Sequence, residues 1–179
     1  FWLSRMWSDR GKKMPEADVI VSPKDAKETS AVLKIANYYK IPVTTWGGGG
    51  GTQGGALPVA GGILLNTKRM NKIYEINEES LYVECGAGAI YKHIEWAVNE
   101  KGYTTMHYPS SLNCSTLGGF LAHRGIGVVS TKYGKIDDMC LTMEVVLPNG
   151  DIINTCPVPK HAAGPDLNQI FIGSEGTLG

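Results

Sequence analysis

The sequence predicts an α+β fold in two lobes: a βαβ unit first, then a mainly antiparallel lobe that carries helices. Three observations predict it. Short β-prone runs at 17–21 and 41–45 flank a segment, 26–39, whose apolar residues recur at helical spacing. Later β-prone runs are separated by short polar turns, as in hairpins. A glycine-rich segment at 44–55 directly follows the second run and carries the functional hypothesis.

The first lobe is predicted element by element. The run 17–21 reads as a strand, and Pro23 with Asp25 supplies the chemistry of a helix start before 26–39. The run 41–45 is the next strand and leads into the glycines. A strand–helix–strand unit of this kind is typical of parallel pairing. The apolar run 62–66 is a further buried strand.

The second lobe alternates strands and helices. The turn Pro148-Asn149-Gly150-Asp151 carries Asn-Gly, a strong hairpin signal. The predicted strands are 73–76, 81–85, 141–147 and 152–154, and the predicted helical segments are 89–101, 116–122 and 166–171. We therefore expect an N-terminal arm at 1–14, a first lobe at 15–73 and a second lobe at 74–179. We also expect the chain to be part of a longer protein.

Charge and hydropathy exclude several classes of partner. Lys plus Arg and Asp plus Glu each number 17, so the net charge is zero. This gives no basic surface for nucleic acid. No run approaches the roughly 18 apolar residues of a membrane-spanning helix. We expect neither nucleic acid as a partner nor an integral membrane segment.

Cysteine and histidine spacing predicts no metal site. The four cysteines lie far apart without a Cys-x-x-Cys pair, and the four histidines show no ligand spacing. A chain of this length needs no disulfide framework, so we expect a reducing, cytoplasmic location.

The glycine-rich segment 44–55 contains seven glycines in twelve residues. Glycine in regular structure costs about 0.5–1 kcal/mol relative to alanine, so such a density indicates another purpose. Backbone N–H groups approaching an anion, without side chains in the way, would provide one. Gly49, Gly51 and Gly54 formally match Gly-x-Gly-x-x-Gly, but no helix is predicted to follow, and the lysine of a Walker loop is absent. A flexible hinge is the alternative.

Three further clusters could carry chemistry. Residues 109–119 alternate hydroxyl groups with backbone donors and end in Gly-Gly at a predicted helix start, where free N–H groups would favour an anion. An ordinary helix cap explains the same pattern. Residues 122–127 and the terminal 173–179 are uninformative alone, and a lone Glu175 is more often a solvated or capping carboxylate than an acid catalyst.

In this order, the four segments resemble the FAD-binding domain of the vanillyl-alcohol oxidase / p-cresol methylhydroxylase superfamily (a PCMH-type domain). The resemblance runs from about residue 17 to residue 179. It is strongest to the branch of D-lactate dehydrogenases, the glycolate oxidase D subunit and alkylglycerone-phosphate synthase. The segment around Arg69-Met70-Asn71 is also similar to one in that family. Gly164-Pro165-Asp166 and Arg124 resemble the synthases, whereas Trp46 and Gly50 depart from both groups.

The resemblance implies the site. FAD pyrophosphate would lie on the glycine loop, and the flavin would lie beside residues 109–119. Residues 123–125 would lie near the flavin ring, and Glu175 with its neighbours would close the site. The implied cofactor-binding residues are Gly47, Gly48, Gly49, Gly50, Gly51, Thr52, Gln53, Pro109, Ser110, Ser111, Thr116, Gly118, Gly119, His123, Arg124, Gly125, Glu175 and Gly176. Because the loop has no histidine and Cys114 reads as an ordinary thiol, we expect non-covalent FAD. An alanine at Gly48 or Gly49 is predicted to weaken FAD binding far more than Trp46→Phe does.

The function implied by the resemblance is oxidation of a small 2-hydroxy acid, with hydride transfer to flavin N5. Two alternatives stay open: alkylglycerone-phosphate synthase chemistry, and a non-catalytic subunit that carries FAD and passes electrons. The substrate domain would lie C-terminal to residue 179 and hold most catalytic groups, so no catalytic residue is assigned. A homodimer or an electron-transfer partner would fit the family.

Overall fold

The computed structural model describes residues 9–11 and 13–179. Residues 1–8 and 12 of the predicted arm lie outside the described residues. The division into lobes near residue 73 stays a prediction.

The first sheet has three parallel strands: β1 (Val19–Val21), β2 (Val43–Trp46) and β3 (Ile63–Asn66). Their order is β1-β3-β2. The parallel direction is confirmed, but the two strands of the predicted unit do not pair, because β3 lies between them. The central strand is the most buried of the three, and its Ile63 and Leu65 belong to the core.

Helix α1 (Ala26–Tyr39) connects β1 to β2 and matches the predicted range. Asp25 caps it by accepting a hydrogen bond from the Glu28 N–H at 2.8 Å. Lys40 ends it in the left-handed conformation.

The rest of the chain contains two antiparallel hairpins and five short helices within the described residues. The elements are β4 (Ile73–Asn77), β5 (Tyr82–Cys85), α2 (Tyr91–Asn99), α3 (Leu117–His123), α4 (Ser130–Tyr133), α5 (Ile136–Met139), β6 (Glu144–Val146), β7 (Ile152–Asn154) and α6 (Asn168–Phe171). A 3-10 turn, Thr67–Arg69, joins β3 to β4. The predicted antiparallel pairing is confirmed for β4 with β5 and for β6 with β7.

The predicted strand at 141–147 is shorter in the structure because a side chain interrupts its ladder. Thr155 Oγ1 accepts from the Met143 N–H at 2.8 Å and takes the place of a backbone partner. β6 consequently begins at Glu144.

The β6–β7 hairpin packs on α1, although more than 100 residues separate them. The contact includes a buried hydrogen bond from Ser30 Oγ to the Gly150 carbonyl. A helix of the early chain is therefore covered by a hairpin of the late chain.

The main core cluster lies among α2, α3 and α5. Its buried members are Ala89, Tyr91, Ile94, Phe120 and Ile136. This core fixes the position of α3, whose ends bear most of the candidate site.

A buried carboxylate, Glu95, anchors the segment after α2. Its side chain accepts hydrogen bonds from Thr104 Oγ1 at 2.6 Å, from Thr105 N and Oγ1, and from Tyr108 OH at 2.6 Å. Asn99 Nδ2 donates to it as well, at 2.7 Å. Burial alone would raise the pKa of this carboxyl, but the hydrogen bonds outweigh burial and lower the pKa to about 2. The anchored segment leads directly into residues 109–111 of the site.

Candidate cofactor site

The glycine loop begins where β2 ends, and its first half packs against residues 114–119. A Cβ added to Gly47 would lie 2.4 Å from Thr116 Oγ1, and one added to Gly48 would lie 2.2 Å from the Cys114 carbonyl oxygen. Both positions therefore require glycine for close approach. Gly49 has φ +65°, in the left-handed region, beneath the Trp46 ring.

The second half of the loop is open. Residues 50–53 are exposed, and a Cβ added to Gly51 would meet nothing within 4 Å. Among the described residues, no protein acceptor takes a hydrogen bond from the backbone amides of 48–53. Unused N–H groups on an exposed, side-chain-free loop are suited to binding an anion.

No helix follows the loop: residues 52–61 form bends and turns. The prediction that no helix opens after the glycines, as a Rossmann fingerprint would require, is therefore confirmed. An anion would be held by loop amides, without a helix dipole.

The start of α3 differs from the sequence expectation of free N–H groups. Leu117 N donates to the Ala89 carbonyl at 2.9 Å, and Gly118 N donates to the Ala87 carbonyl at 2.8 Å. Thr116, which is fully buried, caps the helix by accepting from Gly119 N at 3.3 Å. The expectation was wrong because carbonyl groups in the segment before α2 accept hydrogen bonds from these amides. Gly118 allows this contact, since a Cβ there would lie 2.9 Å from Ala87.

Gly86 and Gly88, which lie between β5 and α2, complete this packing. A Cβ at Gly86 would lie 2.2 Å from the Met70 carbonyl, and one at Gly88 would lie 1.9 Å from the Thr67 carbonyl. Sequence reasoning did not assign them a role, although the Gly-x-Gly spacing before a helix was a usable signal. They join the segment around Arg69 to the start of α3.

A cleft of about 460 Å³ lies beside the C-terminal end of α3. It is lined by Pro109, Ser110, Ser111, Phe120, His123, Arg124, Gly125 and Ile126. Six of these eight were candidate residues, so the structure brings the segments 109–119 and 122–127 together. Sequence reasoning missed Phe120 and Ile126. Phe120 reads as core, and Ile126 lies within the segment 122–127 but was not among the candidate residues.

The terminal segment closes one side of this region. Glu175 Oε1 lies 2.8 Å from His123 Nδ1, and a Cβ added to Gly55 would lie 2.6 Å from Glu175 Oε2. Gly176 lies so close to Thr45 in β2 that its added Cβ would be 2.1 Å from Oγ1. The glycine loop, α3 and the terminal segment therefore meet at one place.

Aromatic rings form the layer behind the cleft. Phe120 packs edge-on against Tyr91 and His107, with ring centroids 5.2 and 5.6 Å away. His107 is fully buried, and burial lowers its pKa, which keeps the imidazole neutral. Neither of its ring nitrogens has a partner among the described residues.

Arg124 lines the cleft, but protein acceptors use its guanidinium. It donates to Asp137 Oδ2 at 2.8 Å, to Gln169 Oε1 at 2.7 Å and to the Ile172 carbonyl at 2.7 Å. These contacts join α3 to α5, α6 and the terminal segment. A direct role of Arg124 with the cofactor stays a prediction.

Replacing Arg124 by methionine is expected to lower the free energy of unfolding by about 1–3 kcal/mol, because four acceptors lose a charged donor at once. Hydrogen exchange should accelerate at the Gly173 and Glu175 amides, which bond to α3 carbonyls. Arg69→Met is the matched control, because Arg69 is exposed and, among the described residues, its guanidinium donates to the Ser22 carbonyl alone. Equal destabilisation by both variants would contradict this structural role.

The thiols and potential metal ligands give no second site among the residues described. Cys85, Cys114, Cys140 and Cys156 are free. Burial raises the pKa of Cys85 and of Cys140 to about 11, so both stay thiols at neutral pH. The described side chains include no cluster of His, Cys, Asp and Glu suited to a metal. Nor does any described helix combine the length and apolarity needed to cross a bilayer.

The α+β fold presents a loop of free amides that is suited to binding the phosphates of a nucleotide cofactor. The chain belongs to the FAD binding domain family, whose model matches residues 17–155. Its cofactor is therefore FAD, and the resemblance found in the sequence is confirmed.

Three relatives with enzyme names share much of this chain's sequence. The chain is 40% identical over 169 residues to glycolate oxidase subunit GlcD of Bacillus subtilis, covering 94% of this chain and 36% of that protein. It is 38% identical over 161 residues to a D-lactate dehydrogenase of Archaeoglobus fulgidus, covering 89% and 36%. It is 35% identical over 176 residues to an alkyldihydroxyacetonephosphate synthase of Caenorhabditis elegans, covering 95% and 29%. The chain spans about a third of the length of these relatives.

Solved structures agree with the fold. An alkyldihydroxyacetonephosphate synthase superposes with a TM-score of 0.83 at 31% identity, covering 94% of this chain and 30% of that one. A berberine bridge enzyme superposes with a TM-score of 0.75 at 20% identity, covering 89% and 31%, which supports the fold alone. The predicted PCMH-type architecture is confirmed.

Proposed function

We propose that this chain is the FAD-binding part of an oxidoreductase that oxidises a small 2-hydroxy acid. The open half of the glycine loop carries the proposal, because its amides have no protein acceptor among the described residues. The first half of the loop packs against Thr116 at the start of α3, and α3 leads to a cleft of about 460 Å³, a volume within the range of ligand pockets. The relatives named for glycolate and D-lactate support the substrate class.

The described residues suit the two ends of FAD. The amides of 48–53 would hold the pyrophosphate, and Gly50 and Gly51 leave room for it. The path from the loop to the cleft runs along 111–115, where Ser115 Oγ lies near Gly50. The flavin ring would then lie in the cleft beside Ser111, His123 and Gly125.

Bound FAD would accept a hydride from the α-carbon of the substrate. The part of this chain is to position the cofactor and exclude water from one side of the ring, against the aromatic layer of Phe120. Cys114, although exposed, lies beside the pyrophosphate half of the loop and not in the cleft lining, which favours non-covalent FAD.

The test is anaerobic reduction of the full-length, FAD-loaded protein by D-lactate or glycolate, measured as the loss of flavin absorbance. We expect reduction by at least one of these acids and full release of FAD on acid precipitation. A protein that binds FAD but is reduced by no 2-hydroxy acid would exclude this function. FAD that stays with the precipitate would show a covalent bond.

The second candidate is alkylglycerone-phosphate synthase chemistry, favoured by the TM-score of 0.83 and by Gly164-Pro165-Asp166. It predicts exchange of an acyl for an alkyl group on a phosphorylated ketone, without net flavin reduction. An electron-carrying subunit is the third candidate, supported by the word "subunit" in the name of the Bacillus relative. It predicts reduction through a partner protein alone. A C-terminal substrate domain and a homodimer belong to the same proposal.

A further inference from the structure

The indole ring of Trp46, the last residue of β2, lies against the backbone of the glycine loop. A Cβ added to Gly49 would lie at most 2.9 Å from three atoms of this ring, and these are the three nearest protein atoms. The ring therefore packs directly on the Gly49 backbone. Gly49 has φ +65°, so the ring contacts the loop at its left-handed residue.

The conformation of Gly49 decides where the neighbouring amides point. A left-handed residue beside residues of ordinary conformation turns successive N–H groups toward one side, and such a backbone nest binds an anion. Gly48 and Gly50 are not in the left-handed region, so the change of hand falls at Gly49. A glycine adopts positive and negative φ about equally readily. Without an outside restraint, Gly49 would change hand, and the neighbouring amides would turn away from a common anion.

Trp46 is placed to supply that restraint, because the sheet fixes its own backbone. It pairs with Asn66 of β3, and its carbonyl accepts a hydrogen bond from Thr67 Oγ1 at 3.2 Å. The residue is half-buried. The amides of 48–53 have no protein acceptor among the described residues, so hydrogen bonds do not hold Gly49 in place. The restraint on its conformation is the packing of the indole ring.

We propose that Trp46 is a positioning residue for the FAD pyrophosphate. Its ring keeps Gly49 left-handed before FAD arrives, so the loop amides already face the position of the anion. This inference rests on the proposed placement of the pyrophosphate on the amides of 48–53. A loop that is ordered in advance loses less conformational freedom on binding, which raises affinity. The ring acts through Gly49 and does not itself contact the cofactor.

The first experiment mixes the full-length apoprotein with FAD and follows flavin fluorescence by stopped flow. Trp46→Val removes the ring and keeps a β-branched side chain suited to a strand. If its loop is competent about a tenth of the time, association slows about tenfold and the dissociation rate constant stays within about twofold. Trp46→Phe, which retains a ring, should associate within about threefold of wild type. Trp96→Leu is the control, because Trp96 is 54% exposed on α2.

The second experiment tests whether Trp46 acts through its contact with Gly49. In the wild-type protein, Gly49→Ala meets both the ring and an unfavourable φ, and it is expected to weaken FAD binding about a hundredfold. In a Trp46→Val protein only the unfavourable φ remains, so the same substitution should weaken binding about tenfold. Because both effects are ratios, a general loss of stability in Trp46→Val cancels from the comparison.

The results separate the role of Trp46 from that of the loop. A Trp46→Val protein that binds FAD as fast as wild type, or equal effects of Gly49→Ala in the two backgrounds, would overturn the proposal. Faster dissociation at an unchanged association rate would also overturn it, because the ring would then contact FAD directly. If Gly48→Ala still weakens FAD binding in these cases, the pyrophosphate site stands without Trp46. Wild-type affinity in Gly48→Ala would remove both.

Discussion

Replacing Gly48 by alanine is expected to weaken FAD binding about a hundredfold, close to 3 kcal/mol of binding free energy. The new Cβ would lie 2.2 Å from the Cys114 carbonyl oxygen and 3.0 Å from Ser115 Cα. Both are backbone atoms, so the loop must move to make room. Its unused amides would move with it. Fluorescence titration of the apoprotein with FAD measures the effect.

Two variants separate loss of loop packing from loss of cofactor contact. Trp46→Phe keeps an aromatic ring over Gly49 and is expected to change the dissociation constant by about threefold or less. Gly51→Ala adds a methyl group that meets no protein atom within 4 Å. It should leave the melting temperature of the apoprotein unchanged, so any loss of FAD affinity there comes from the cofactor itself. A Gly48→Ala protein with wild-type affinity would contradict the role of the loop.

Glu95→Gln is expected to lower the free energy of unfolding by about 3 kcal/mol at neutral pH. This is the equivalent of lowering the carboxyl pKa from 4.5 to about 2. The side chain is 4% exposed, so solvent screens its hydrogen bonds little. Because the folded-state pKa is lowered, the stabilisation is complete above about pH 4.5 and is lost as pH falls toward 2.

Urea denaturation across this pH range tests the prediction. The wild-type protein should lose stability on acidification more steeply than Glu95→Gln. Glu79→Gln is the matched control, since Glu79 is exposed in the β4–β5 turn. If the Glu95 and Glu79 variants have the same stability at pH 7, the hydrogen bonds to Glu95 contribute little. Glu95→Gln should also disturb the cleft, because the segment that Glu95 anchors, 104–108, leads into Pro109 in the cleft lining.

Local patterns predicted the elements well. The periodicity of 26–39 gave α1, and the Asn149-Gly150 turn gave the β6–β7 hairpin. These features depend on neighbours within a few residues. The open glycine loop was also predicted, because a proline and further glycines forbid a helix after it.

Features set by distant residues could not be predicted in the same way. The insertion of β3 between β1 and β2 depends on pairing across more than 40 residues. Helices α4 and α5 have four residues each, too few to show a period. The contacts of His123 with Glu175 and of Arg124 with Ile172 join chain segments about 50 residues apart. The sequence marked His123, Arg124 and Glu175 as candidates but could not show which residues they contact.

The packing of the β6–β7 hairpin on α1 has a consequence for how the chain folds. The three parallel strands lie within the first 66 residues, but one face of α1 stays uncovered until residues 144–154 arrive. Contacts of such large sequence separation slow folding, since a long loop must close before they form. During synthesis one face of α1 would therefore stay exposed until the β6–β7 hairpin has been made. We expect refolding to be slow and the isolated N-terminal segment to be prone to aggregation.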